Sequence, residues 1–176
     1  MAGSSPTDAN AATGVVLVGH GAVPTDCPRE LVTRLKALEG ARRATGGAPG
    51  AEERALDDRI RRWPRTPATD PYRAGLEALA GRLGPLLGAA HLVVAYNEFC
   101  APTIDEAVAT LAAAGACRVV VVPSMLTPGG VHSEVEIPEA LARLRAAHPD
   151  LALRYAWPFD LDQVAHLLAA HVARAT

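Results

Sequence analysis

Lysine is almost missing from this 176-residue chain. Of 17 basic side chains only Lys36 is a lysine, and the other sixteen are arginines. An excess of either charge is missing as well: 17 basic groups face 19 acidic ones, for a formal net charge of -2. No global field therefore exists to gather nucleic acid or an acidic membrane surface. The arginine bias fits the coding composition of a chain dense in Ala, Gly and Pro, although the planar guanidinium fork is also the better carboxylate clamp. Cysteine is scarce: Cys27, Cys100 and Cys117 are odd in number and contain no C-x-x-C pair. That excludes a disulfide framework or a zinc knuckle and favours a reducing, cytoplasmic setting. No run approaches the roughly 18 apolar residues of a membrane span. The opening "MAGSSPTDANAAT" has neither a basic start nor an apolar core, so it does not read as a signal peptide and is expected to be a disordered tail over residues 1–13. The remainder, 14–176, fits a single domain.

What is present is a set of short, nearly continuous apolar runs: "GVVLVG" (14–19), "HLVVAY" (91–96) and "RVVVVP" (118–123). Runs that do not alternate suit strands covered on both faces, as in a parallel sheet. "LALRYAWP" (151–158) reads as a fourth strand at an edge, since Arg154 interrupts it. Helical patterns separate these runs. The expected fold class is therefore α/β, a doubly wound, four-stranded and mainly parallel sheet of order 2-1-3-4 with helices on both faces. In "PTIDEAV" Thr103 and Glu106 form a capping box, followed by the apolar face Ile104, Ala107, Val108 and Leu111 up to Gly115. The last helix starts at the N-cap Asp160 and is expected to bury Val164, Leu167, Leu168 and Val172. Residues 40–71 break the pattern with a flexible Gly-rich run, a charged helical piece and a proline-rich exit, and read as an insertion. Its arginines are offset by acidic neighbours, so a solvated surface helix stands beside an arginine-bearing lid as its role.

Open parallel sheets bind ligands outside the carboxyl ends of their strands. In this sequence those exits carry "GHGA" with His20, "NEFCAP" with Glu98, "PSMLTPGGVHSE" with His132 and Glu134, and "WPFD". With strand order 2-1-3-4, His20 would lie centrally, flanked by Glu98 and His132 across strand spacings of about 4.8 Å. Two imidazoles and a carboxylate suit Fe²⁺, Co²⁺, Ni²⁺ or Zn²⁺ better than Ca²⁺ or Mg²⁺. Each residue also has an ordinary explanation. His20 fits a tight strand exit, Glu98 a helix cap or an ion pair with arginine, and His132 a polar loop in which Ser133 and Glu136 form a second capping box. His91 begins a strand at the opposite edge, His148 suits a helix C-terminus, and His166 and His171 are five apart, off the i, i+4 metal spacing. Tyr96, Met125, Leu126 and Trp157, with Phe159 nearby, are candidates to wall a flat ligand, and equally fit strand-end packing. Cys27 and Cys100 read as buried small apolar residues.

Three stretches together, "LVGHG", the Glu-x-x-x-Pro of "EFCAPTIDEA" and above all "VVVVPSMLTPGGVHSEVEIP", resemble the short sirohydrochlorin chelatase family, single-repeat relatives of the class II ferrochelatases. The likeness runs from about residue 14 to the C-terminus, outside the insertion. It implies insertion of Co²⁺ or Fe²⁺ into sirohydrochlorin, for cobalamin or siroheme biosynthesis, with the divalent metal as substrate and no organic cofactor. It also implies that His20 and His132 bind the metal, with Glu98 in support, and that a single-repeat chain pairs as a homodimer with its cleft near the symmetry axis. Near an ordinary pKa of about 6.5 a histidine can ligate when neutral and accept a pyrrole proton. Three departures stand out: Ala22 where the family usually has Ser, Glu136 where it usually has Asp, and the insertion itself, whose arginines suggest a clamp for the carboxylates of the substrate. A non-catalytic metal or tetrapyrrole carrier is the alternative reading. A phosphohydrolase with His20 as nucleophile is disfavoured, because Gly19 stands where an arginine would be needed and no phosphate cradle follows.

Overall fold

The structure, a computed structural model, describes residues 12–88 and 90–175. Most of the tail expected over 1–13 lies outside these residues, and its last member, Thr13, already belongs to the first strand. The chain runs β1 (Thr13–Gly19), α1 (Arg29–Thr45), α2 (Ala51–Arg61), α3 (Pro71–Leu83), β2 (His91–Tyr96), α4 (Ile104–Ala113), β3 (Arg118–Pro123), α5 (Ile137–Ala147), β4 (Ala152–Tyr155) and α6 (Leu161–Val172). All strand pairings are parallel and the order is β2-β1-β3-β4. The fourth strand is shorter than the sequence suggests, ending at Tyr155 before "AWP". Among the described residues no helix is long and apolar enough to cross a membrane.

Alternation along β1 divides the core. Val16 and Val18, with Val119 and Val121 of β3, face α4 and α5 in the main cluster with Ile104, Val108, Leu111, Ile137 and Leu141. Leu141 is fully buried, and truncating such a leucine costs about 2–5 kcal/mol. On the opposite face Leu17 and Tyr96 pack against Leu76 and Ala80 of α3. The capping box at α4 forms as its sequence specifies: the Thr103 side chain accepts from the Glu106 amide, and the Glu106 side chain accepts from the Thr103 amide.

The insertion is more than a solvated helix. From α2, Ile60 is fully buried with Leu35 and Cys27 in a third cluster. Arg65 and Asp70 form an ion pair whose side chains are only 2% and 1% exposed. Arg65 also donates to the carbonyls of Ala22 (2.9 Å), Ile60 (3.1 Å) and Phe99. Asp70 in turn caps α3, accepting from the Arg73 amide at 2.9 Å. One guanidinium thus ties the insertion to the exits of β1 and β2.

The expectation for the last helix fails. Asp160 is its N-cap, accepting from Asp162 and Gln163, but none of its residues is buried. Leu167, Leu168 and Val172 are 55%, 54% and 61% exposed. The helical period correctly groups the apolar side chains on one face, yet among the described residues that face leaves Leu167, Leu168 and Val172 open and only Val164 half-buried.

Candidate metal centre

Register brings the strand exits level. Gly19 pairs with Tyr96, and Val18 with Pro123, so the residues that follow β1, β2 and β3 emerge side by side. The β1–β2 ladder then continues beyond both strands, with the Asn97 amide donating to Gly19 (2.9 Å) and the Glu98 amide to His20 (2.8 Å). That close approach explains the second glycine of "GHG". Gly21 has φ +93, and a Cβ there would lie 1.8 Å from the Glu98 carbonyl oxygen. The first glycine answers to α3, because a Cβ on Gly19 would fall 2.4 Å from Leu76.

His132 reaches the same place by a different device. It opens a π-helical turn, His132–Glu136, that runs directly into α5. Such i→i+5 turns often occur at functional sites. The Tyr155 hydroxyl donates to the Ser133 carbonyl at 3.0 Å, so the last residue of β4 holds this turn. Burial pushes the Tyr155 phenol up to about 12. The capping box expected from Ser133 and Glu136 does not form. Ser133 is buried, and Glu136 Oε2 accepts instead from His132 Nδ1 and Asn97 Nδ2, at 2.6 Å each. Burial alone would raise the Glu136 carboxyl, but the hydrogen bonds from His132 and Asn97 outweigh it and hold it below the usual range. Glu134 closes the Gly-Gly loop, accepting from the Gly129 amide and the Trp157 indole, both at 3.3 Å.

One ligand atom each from His20, Glu98 and His132 lies within 4.8 Å of the others. The imidazoles meet edge to face, with centroids 4.5 Å apart and planes at 88°. The outer partners select the tautomer. His20 Nδ1 lies 2.7 Å from the Gly21 carbonyl and His132 Nδ1 lies 2.6 Å from the Glu136 carboxylate. Both partners can only accept, and the Asn97 amide, 2.8 Å from His132 Nδ1, donates to Glu136 Oε2 instead, so in the neutral imidazole each Nδ1 carries the proton and each Nε2 keeps its lone pair. With metal–nitrogen bonds of about 2.1 Å, ligand atoms around one cation sit roughly 3–4 Å apart, a modest contraction from this arrangement. The donor set therefore fits a borderline divalent cation. Lys36, with Nζ 3.4 Å from Glu98 Oε1 and 3.0 Å from Glu39 Oε2, is the partner of Glu98 in place of the arginine or helix cap considered from sequence. Phe99, the only non-glycine residue at positive φ (54°) among those described, holds its ring 4.6 Å from the same ammonium. A bulky residue in that conformation costs about 1–3 kcal/mol.

A cavity of about 980 Å³ adjoins the cluster, lined by Glu98 and His132 and walled by α1, α2 and α5; His20 is not among its lining residues. Of the side chains expected to wall a flat ligand, Tyr96 lines this cavity, but it is 1% exposed and packs in the core on Leu17 and Leu76. Burial, the largest influence, raises its phenol well above the ordinary range. Met125, Leu126 and Trp157 do not line the cavity. They follow β3 and β4, whereas the cavity opens from the β2 exit towards the insertion; Met125 packs on the main core and Trp157 stacks on Tyr155 at 6.3 Å. The insertion's arginines are mostly committed within the chain, Arg42 to Glu53, Arg61 to Asp57, and Arg62 to Asp58 and Glu106. Sequence reasoning missed Asn97, Lys36 and the orienting role of Glu136. The i, i+4 spacing of His132 and Glu136, and the singularity of the lysine, were the available signals.

The parallel sheet thus gathers two histidines and a glutamate at its carboxyl edge. The chain belongs to the CbiX family, whose model matches residues 68–175. That span holds Glu98 and His132 but not His20. A sirohydrochlorin cobaltochelatase of Priestia megaterium is 35% identical over 70 residues, 40% of this chain and 22% of the relative. A CbiX cobalamin-biosynthesis protein of Marinobacter aquaeolei VT8 shares the fold, with a TM-score of 0.55 and 19% identity over 93% of this chain and 95% of that one. The sirohydrochlorin chelatase SirB of Bacillus subtilis subspecies spizizenii, solved with cobalt, aligns with a TM-score of 0.43 and 18% identity, over 84% of this chain and 43% of that one. The chain thus spans about a fifth of the length of the curated relative it matches.

Proposed function

We propose that this chain is a metal chelatase that inserts Co²⁺ or Fe²⁺ into sirohydrochlorin, in cobalamin or siroheme biosynthesis in the cytoplasm. The observation that carries this reading is the convergence of His20, Glu98 and His132 at the carboxyl edge of the sheet, in a chain of the CbiX family. Chelation requires a cation to lose water, two pyrrole protons to leave, and the metal to pass to the macrocycle. The Nε2 lone pairs of His20 and His132 hold the cation, and the same imidazoles take the pyrrole protons as the cation departs. Glu98 supplies the anionic ligand that lowers the cost of stripping water. Glu136 fixes the His132 tautomer from outside.

Sirohydrochlorin and Co²⁺ mixed with and without protein, followed by visible absorbance, test the reading. Catalytic acceleration that is lost in His20→Ala and His132→Ala supports the enzyme. A stoichiometric spectral shift without acceleration marks the alternative, a metal or tetrapyrrole carrier. We also infer a homodimer, supported by the uncovered Leu167, Leu168 and Val172 of α6. Sedimentation should give a dimer that Leu168→Glu converts to monomer, and a monomeric unaltered chain at micromolar concentration refutes the pairing.

A further inference from the structure

The reaction proposed above sets two opposed demands on its cation site: it must capture a divalent ion from water and then let it go. Two imidazoles and a carboxylate meet the first demand alone. The surroundings of Glu98 address the second. Lys36 projects from α1 and places its ammonium 3.4 Å from Glu98 Oε1, the carboxylate of the candidate centre. It has a second seat at Glu39 Oε2, 3.0 Å away. Its underside rests on the Phe99 ring, 4.6 Å from the centroid. Phe99 follows Glu98 directly and is the one described non-glycine residue in the left-handed region. Two carboxylates and an aromatic face thus make a built seat for an ammonium, and the backbone adopts an unfavourable conformation to present the ring. The occupant is the only lysine among 17 basic residues. Its stem is flexible and its side chain is 43% exposed, so it can shift from one carboxylate to the other.

We propose that Lys36 is a tethered monovalent cation that competes with the divalent ion for Glu98, keeping the metal affinity low enough for transfer to the tetrapyrrole. When the divalent cation arrives, the ammonium retreats to Glu39. When the metal leaves for the macrocycle, the ammonium returns and neutralises Glu98, so that a bare carboxylate does not hold the ion back. No covalent bond is made or broken in this exchange, only ion pairs and the coordination of the metal by Glu98. Lys36 acts as a positioning residue for Glu98, and Glu39 is the alternate seat on which the exchange depends. The proposal rests on the reading of His20, Glu98 and His132 as the cation site.

Direct Co²⁺ titration of the full chain, by calorimetry and by visible absorbance in the absence of tetrapyrrole, tests it. A partly exposed ion pair and like-charge repulsion over a few ångströms together correspond to about a tenfold change in affinity. Lys36→Met is expected to bind Co²⁺ about tenfold more tightly, Lys36→Arg within about twofold of the unaltered chain, and Glu39→Gln more weakly. In turnover, Lys36→Met should lower the KM for Co²⁺ and also lower kcat, because release becomes slower. A Lys36→Met chain with unchanged circular dichroism and unchanged or weaker Co²⁺ affinity overturns the proposal. If His20→Ala abolishes Co²⁺ binding in the same series, the cation site stands and only the lysine's role falls. If the unaltered chain binds no Co²⁺, both readings fall.

Discussion

Removing Arg65 should be among the most damaging single changes available in this protein. The side chain is 2% exposed and its partner Asp70 is 1% exposed. Arg65→Ala leaves the Asp70 carboxylate buried without its counter-charge, and it strips a donor from the carbonyls of Ala22, Ile60 and Phe99. Breaking a buried pair by removing one partner costs about 3–5 kcal/mol. The Ile60 carbonyl keeps the Trp63 amide at 3.2 Å, but the Ala22 and Phe99 carbonyls, if left dry, add about 1–3 kcal/mol each, less whatever entering water restores. For a chain of this size a loss of about 4 kcal/mol lowers Tm by roughly 8–16 °C, which scanning calorimetry resolves. The double variant Arg65→Met, Asp70→Leu removes both charges together. It should recover part of the loss, but not the α3 cap that Asp70 gives the Arg73 amide, worth about 1 kcal/mol. The two carbonyl partners at the strand exits, Ala22 and Phe99, flank His20 and Glu98, so Co²⁺ affinity should fall in Arg65→Ala even below its lowered Tm. A Tm shift under about 3 °C would refute the view that this pair locks the insertion to the sheet.

Gly21→Ala should abolish Co²⁺ binding while leaving most of the far-UV circular dichroism intact, because a Cβ 1.8 Å from the Glu98 carbonyl forces the two exits apart. Glu136→Gln should weaken Co²⁺ binding by about 10- to 100-fold, measured by titration, since it removes the carboxylate that fixes His132. The Glu106 carboxyl is held below its ordinary range by the Thr103 amide first and by Arg62 second. A depressed native pKa contributes stability that is present above the unfolded value near 4.3 and is lost as pH falls through the native one. The Tm difference between the unaltered chain and Glu106→Gln should therefore be present at pH 7 and close below about pH 4.

Much of the architecture was legible because the relevant signals are local and strong. Three nearly continuous apolar runs became β1, β2 and β3, and the T-x-x-E of α4 formed both of its bonds. Parallel strands joined by helices leave few possible orders, so the meeting of His20, Glu98 and His132 could be argued before any coordinates. What was not legible depends on partners far apart in sequence. The side chain of Glu136 could bond Ser133's neighbourhood as a cap or His132 as an orienting group, and only the π-helical turn decides between them. Met125, Leu126 and Trp157 share the strand-exit edge, as their positions after β3 and β4 suggest, but which of the exits opens onto the cavity depends on where the insertion packs, and Met125, Leu126 and Trp157 are not among its lining residues. For α6 the 3.6-residue period identifies an apolar stripe but carries no information on what lies opposite, and none of its residues is buried among the described ones.

The three donor groups hang from three separate crossovers, after β1, after β2 and after β3, and no two of them are joined by fewer than about thirty residues of chain. A cation shared among them would therefore act as a staple across the sheet, present only once all three strands are in register. The unfolded chain has no such pocket, so loading at 100 times Kd should add about 2.7 kcal/mol to stability. Thermal melting then becomes a gauge of occupancy, and a strand that slips by one residue would lose its metal before it lost its helices.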